Sequence, residues 1–107
     1  MIAHELKIWP IYFEAVLSGR KTFEYRFNDR NYQEGDMLIL REYSNGSPYY
    51  SLGETRQGYT GRMIACYIGF VLGLGNPPGM CILSLSSKTW PELQDQIFLQ
   101  HAPEWEE

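Results

Sequence analysis

The chain has 107 residues, a formal charge of −4 and a pI near 5.1. That length suits one compact domain with a single core, and the 44% apolar content excludes a disordered chain. The acidic balance argues against the broad basic face that general duplex DNA binding requires, though a local cationic pocket stays open. No run of about 18 apolar residues suggests a membrane helix. The N-terminus shows neither the basic start nor the apolar run of a secretory signal. Cys66 and Cys81 sit in apolar strand-like runs and read as buried, reduced thiols. A cytoplasmic protein is therefore expected.

In chain order, "HELKI" at 4–8 reads as a short strand. "WPIYFEAVLSGR" reads as a helix, with Pro10 in the first turn, Gly19 at the stop, and Phe13, Val16 and Leu17 on one face. "KTFEYRF" alternates: Phe23, Tyr25 and Phe27 share one parity, Thr22, Glu24 and Arg26 the other. The rings are assigned to the core. "FNDRNYQEGD" is turn-rich, and "MLILREY" is a second strand. Residues 44–61 carry five Gly or Pro and form a long excursion of the kind that is usually functional or mobile. "RMIACYIGFVLG" is a long strand bent or bulged at Gly69; "LGNPPG" turns it back into "MCILSLS", leaving Cys66 and Cys81 out of register for a disulfide. "TWPE" then has capping-box spacing from Thr89 to Glu92, with Pro91 in the first turn. Leu93, Ile97 and Phe98 make an apolar stripe, so residues 88–107 are predicted to be a helical extension packed on a domain at 1–87. Strands joined mainly by turns favour a sheet that curls on itself. The fold class is α+β: a partly closed antiparallel β-barrel with an N-terminal and a C-terminal helix.

Chemistry concentrates in "SGRKTFEYRFNDR". Residues two apart on a strand share a face at about 7 Å, so Glu24 and Arg26 are neighbours. Lys21 has the opposite parity and joins them only if the chain bends after Gly19, which glycine permits. Arg20, Lys21 and Arg26 would then surround one carboxylate, a set able to grip a phosphate or a base edge. Charge alternating with apolar residues is also what any half-exposed strand looks like.

Gly19, Lys21, Glu24 and Arg26 spell G-x-K-x-x-E-x-R. That pattern, with "HELKIWP" before it and "EGDMLILREY" and "YTGR" after it, resembles the ASCH domains, relatives of the PUA-like RNA-binding fold. The resemblance spans about residues 3–86 and is closest to a small bacterial and phage branch of unknown function. It implies a barrel of five or six strands with a cleft for RNA or a nucleotide-like ligand. Lys21 would be the cleft cation, Glu24 its carboxylate, Arg26 the neighbour, and Gly19 would shape the bend. Another branch hydrolyses an acetyl amide on modified cytidine with a lysine, a threonine nucleophile and a distant glutamate. Here Glu24 stands in the threonine's place and residues 68–79 carry no acid, so no catalytic residue is assigned. An amidohydrolase-like enzyme and a regulatory protein-interaction domain are the alternative readings.

Arg30, Arg41 and Arg62 extend the cationic rim if their strands adjoin the motif. Tyr49, Tyr50 and Tyr59, in or beside the long loop, either stack on an unpaired base or cover the barrel mouth. The ligand-binding candidates are therefore Gly19, Arg20, Lys21, Glu24, Arg26, Arg30, Arg41, Tyr59 and Arg62. His4 and His101 have no companions at ligand spacing, so neither a metal nor a cofactor is expected.

Overall fold

The computed structural model describes residues 1–86 and 97–107. Strands dominate: β1 (Ala3–Ile8), β2 (Phe23–Phe27), β3 (Met37–Asn45), β4 (Gln57–Gly73), β5 (Met80–Ser86), β6 (Ile97–Gln100) and β7 (Glu104–Trp105), with one short helix, α1 (Pro10–Leu17). The sheet runs β1-β3-β4-β5-β2, with β6 and β7 both on β4. It curls into a half-barrel. The β1–β3 pair is parallel, which corrects the all-antiparallel expectation; the crossover passes through α1 and β2.

Alternation decides what lies inside. His4, Leu6 and Ile8 of β1 face inward, as do Leu38 and Leu40 of β3. Ile64, Cys66 and Ile68 of β4 and Cys81 and Leu83 of β5 complete the strand contribution. Helix α1 starts at Pro10, with Tyr12 and Phe13 amides donating to the Trp9 carbonyl, and seals this core with fully buried Phe13 and Val16. Leu17 instead faces solvent. Both cysteines are free and buried; burial pushes the Cys66 thiol up to about 12. At Gly69 the β4–β5 register slips, and a side chain there would place Cβ 2.8 Å from Ser86 Cβ.

The predicted terminal helix needs correction. Thr89, Pro91, Glu92 and Leu93 lie outside the described residues. Ile97 and Phe98, assigned to its stripe, are in β6, where Ile97 pairs with Ala65 and Phe98 with Ile64. Tyr59 pairs with Glu104 in β7. An apolar run this short takes strand geometry when an existing strand offers it hydrogen bonds. Among the described residues no helix is long and apolar enough to cross a membrane.

A buried polar knot ties the N-terminus to the turn before β3. His4 Nε2 donates to Asp36 Oδ2 at 2.8 Å, and the Ile2 and Gln33 amides donate to the same carboxylate at 3.1 Å each. Burial alone would raise the Asp36 carboxyl, but these hydrogen bonds outweigh it and hold the group below the usual range. A carboxyl lowered in the folded state stabilises above its unfolded value, about 3.9, and loses that contribution as pH falls through the folded value. The melting temperature is therefore expected to drop as pH falls below about 4, and Asp36→Asn should flatten part of that drop. Circular dichroism melts across this range compare the two slopes; equal slopes would remove Asp36 from the acid response.

Candidate functional site

The cleft opens where β1 and β2, the two ends of the main strand path, approach without pairing. Arginines bridge the gap instead. Arg26 Nη2 donates to the Lys7 carbonyl at 2.5 Å, and Arg30 Nη1 to the Glu5 carbonyl at 2.8 Å. Above this seam lies a cavity of about 610 Å³. Lys7, Ile8 and Trp9 come from β1 and its exit, Tyr12 from α1, and Lys21, Phe23, Glu24, Tyr25 and Arg26 from the motif and β2.

The motif's parity is the reverse of the expectation. Glu24 is 3% exposed, whereas Phe23, Tyr25 and Phe27 are 44%, 47% and 59% exposed. Glu24 pairs with Leu83 and Arg26 with Cys81, so both share β5's inward face. A carboxylate tolerates that position because two cations satisfy it. Lys21 Nζ donates to Glu24 Oε1 at 2.6 Å, and Arg26 Nε donates to Glu24 Oε2 at 3.0 Å.

Lys21 reaches Glu24 because β2 has not yet begun. The Ser18 amide closes on Glu14, Gly19 takes φ of +80°, and the Lys21 amide donates to the Ala15 carbonyl. That bend swings Lys21 onto the Glu24 side, where Nζ also donates to the Phe23 carbonyl at 2.8 Å. The ammonium lies 5.8 Å from the Tyr12 ring centroid and 5.2 Å from that of Phe23. One carboxylate against two cations leaves the trio at +1. Arg26 uses two of its five N–H donors among the described residues, so others remain for a ligand.

The other candidates do not converge here. Arg20 hydrogen-bonds the Ser18 hydroxyl on the outer surface. Arg30 belongs to the seam rather than to the cavity lining. Arg41 points from the opposite face of β3: it pairs with Glu5 and Glu104 at 2.9 and 2.6 Å and stacks 3.7 Å over Tyr59. Tyr59 is therefore packed in that surface cluster, with Tyr43 beside it. Arg62 lines a second hollow of about 390 Å³, gripping buried Glu42 at 2.7 Å and Glu14 at 2.6 Å. Those carboxylates hold its guanidinium firmly charged. Arg41 and Arg62 each went to carboxylates brought near by the fold, Arg20 and Arg30 to a hydroxyl and a backbone carbonyl, and no rim forms. Among the described residues no His, Cys, Asp and Glu cluster could hold a metal.

Sequence reasoning missed Trp9 and Tyr12; Lys7 also borders the cavity, but its Nζ lies 4.1 Å from the Tyr43 ring centroid in the outer cluster. The available signal was Tyr12, an aromatic outside the Phe13–Val16 stripe on a short helix and hence turned outward.

Fold and cleft together define a class: a small half-barrel domain with a cation–carboxylate–cation cleft between unpaired strand ends. The chain belongs to the family described as Domain of unknown function (DUF3850), whose pattern matches residues 3–85. It is also similar to a protein of Escherichia phage P2 titled "Uncharacterized 12.9 kDa protein in GpA 3'region". That similarity is 51% identity over 43 residues, covering 40% of this chain and 39% of the relative.

Proposed function

We propose that this protein is a binding module for RNA or a nucleotide-like ligand, held in the β1–β2 cleft by Lys21, Glu24 and Arg26. One observation carries the reading: an amine and a guanidinium flank a buried carboxylate inside a ring-walled cavity. A volume of about 610 Å³ falls in the usual range for small-ligand sites. The net positive trio suits a phosphate, Glu24 can accept from an exocyclic amine, and Trp9 and Tyr12 offer ring surface to a base. The likeness of the motif to that of the ASCH domains points the same way. A narrow cleft on a chain of charge −4 fits an unpaired nucleotide better than a duplex. Buried, reduced Cys66 and Cys81 suit work in the cytoplasm.

Titration of nucleoside monophosphates and a labelled RNA pool at low salt tests this. Lys21→Ala is expected to weaken binding roughly 10- to 100-fold, the loss of a charged hydrogen bond, and Lys21→Arg to restore part of it. No binding by the unmodified protein at low salt would sink the proposal.

A further inference from the structure

We propose that the cleft is one end of a longer ring-lined shelf, and that its ligand is a single strand of several nucleotides rather than a lone nucleotide. This rests on the reading of the cleft given above.

From Lys21 the rings continue outward without a break. Tyr12 lies beside the Lys21 ammonium, and Trp9 stacks on Tyr12 with centroids 6.2 Å apart and planes at 21°. Tyr50 of the loop at 46–56 sits 4.6 Å from Trp9 and 6.3 Å from Tyr12. Tyr49 follows, 5.0 Å from Tyr50 and edge-on to it. Tyr49 is 68% exposed, and no other ring or cation covers it among the described residues.

The loop holds these rings in place. The Ile11 amide of α1 donates to the Tyr50 carbonyl at 3.0 Å. Ser51 Oγ donates to Asn45 Oδ1 at 2.7 Å and accepts from the Asn45 amide at 3.1 Å. Ser44 Oγ donates to the Arg56 carbonyl at 2.6 Å. Little ordering cost therefore remains for a strand laid across the loop. Trp9, Tyr12 and Tyr50 form one cluster with mutual centroid distances of 4.6 to 6.3 Å, and Tyr49 extends it by 5.0 Å, each separation one to two times the rise of about 3.4 Å per nucleotide in a stacked strand. Tyr49 and Tyr50 lie outside the cleft lining, so a nucleotide held within that lining leaves Tyr49 uncovered. Charge complementarity selects the occupant: the positive trio anchors a phosphate at one end, and sequence-tolerant stacking carries the rest.

Anisotropy titrations with labelled oligomers of roughly ten nucleotides, oligo-U and oligo-dT, competed by uridine monophosphate, read the shelf directly. At least one oligomer is expected to bind about tenfold tighter than the monophosphate, and which one identifies RNA or DNA as the strand. Tyr49→Ala should weaken that oligomer about 5- to 100-fold and leave the monophosphate within about twofold. The exposed position of Tyr49 keeps the fold out of the comparison. Equal affinity for oligomer and monophosphate, or an unchanged oligomer affinity in Tyr49→Ala, overturns the shelf while a Lys21-dependent cleft survives. Absence of binding by all three probes overturns both.

Discussion

Glu24→Ala is expected to destabilise the protein by about 3 kcal/mol, more than removing either of its partners. Glu24 is the most buried member of the trio: its side chain is 4% exposed, against 18% for Lys21 and 26% for Arg26. Deleting it leaves two cations facing the floor formed by Cys81 and Leu83, with no counter-charge. Breaking a buried pair from one side costs about 3–5 kcal/mol, and the partial hydration of both cations places this case at the low end. Lys21→Ala still leaves the carboxylate its bond from Arg26, so it should cost less. Glu24→Gln keeps the shape and removes the charge, which separates scaffold from ligand reading. The trio then rises from +1 to +2, so attraction for phosphate should persist or grow while discrimination between bases falls. Urea denaturation gives the stability, and titration of the four nucleoside monophosphates gives the discrimination. A Glu24→Ala protein as stable as the unmodified one would show that the buried carboxylate does not organise this cleft.

The location of the cleft was legible because its determinants are local. A helix stop at Gly19, a lysine two residues on and a strand opening at Phe23 lie within one short segment, and the bend follows from φ of +80° at Gly19. The facing of β2 was not legible. Alternation divides a strand into two faces but does not say which is inside, and hydrophobicity picks the wrong one when a carboxylate brings its own cations. The fates of Arg41 and Arg62 were hidden for a different reason. Their carboxylates, Glu104 and Glu42, are 63 and 20 residues away, and only the pairing of β4 with β3 and β7 brings them close. Strand β6 was missed for the same cause: residues 97–100 become a strand because 62–65 of β4 accept them, and the glycines that admit the residues after β6, Gly58 and Gly61, lie in β4 rather than in the tail.

Gly61→Ala tests how far the docking of the tail depends on the glycines of β4 and is expected to cost about 3 kcal/mol or more. Gly61 takes φ of +95°, and the His101 amide donates to its carbonyl at 2.7 Å. A Cβ there would collide with the His101 carbonyl oxygen and lie 2.8 Å from the carbonyl carbon. The obstruction is backbone, so it cannot rotate aside; the tail must shift. With it go the Arg41–Glu104 pair, the Tyr43–Glu106 hydrogen bond, the Arg56 guanidinium 4.1 Å over Trp105, and the Phe98 ring 6.5 Å from Phe13. Gly53→Ala is the control. Gly53 has φ of +90° but nothing within 4 Å of its would-be Cβ, so it carries only the backbone cost, about 1–2 kcal/mol. The difference between the two alanine variants measures the docking of residues 97–105 on β4. Proteolysis should follow the same order, with cleavage near residue 97 faster in Gly61→Ala. Nucleotide binding should not: residues 97–107 border the Arg62 hollow through Gln100 and Trp105, and none of them lines the Lys21 cleft. Equal stabilities for the two variants would mean that the tail's fit against β4 adds nothing to the fold, and a loss of cleft binding in Gly61→Ala would mean that the two ends of the half-barrel are coupled.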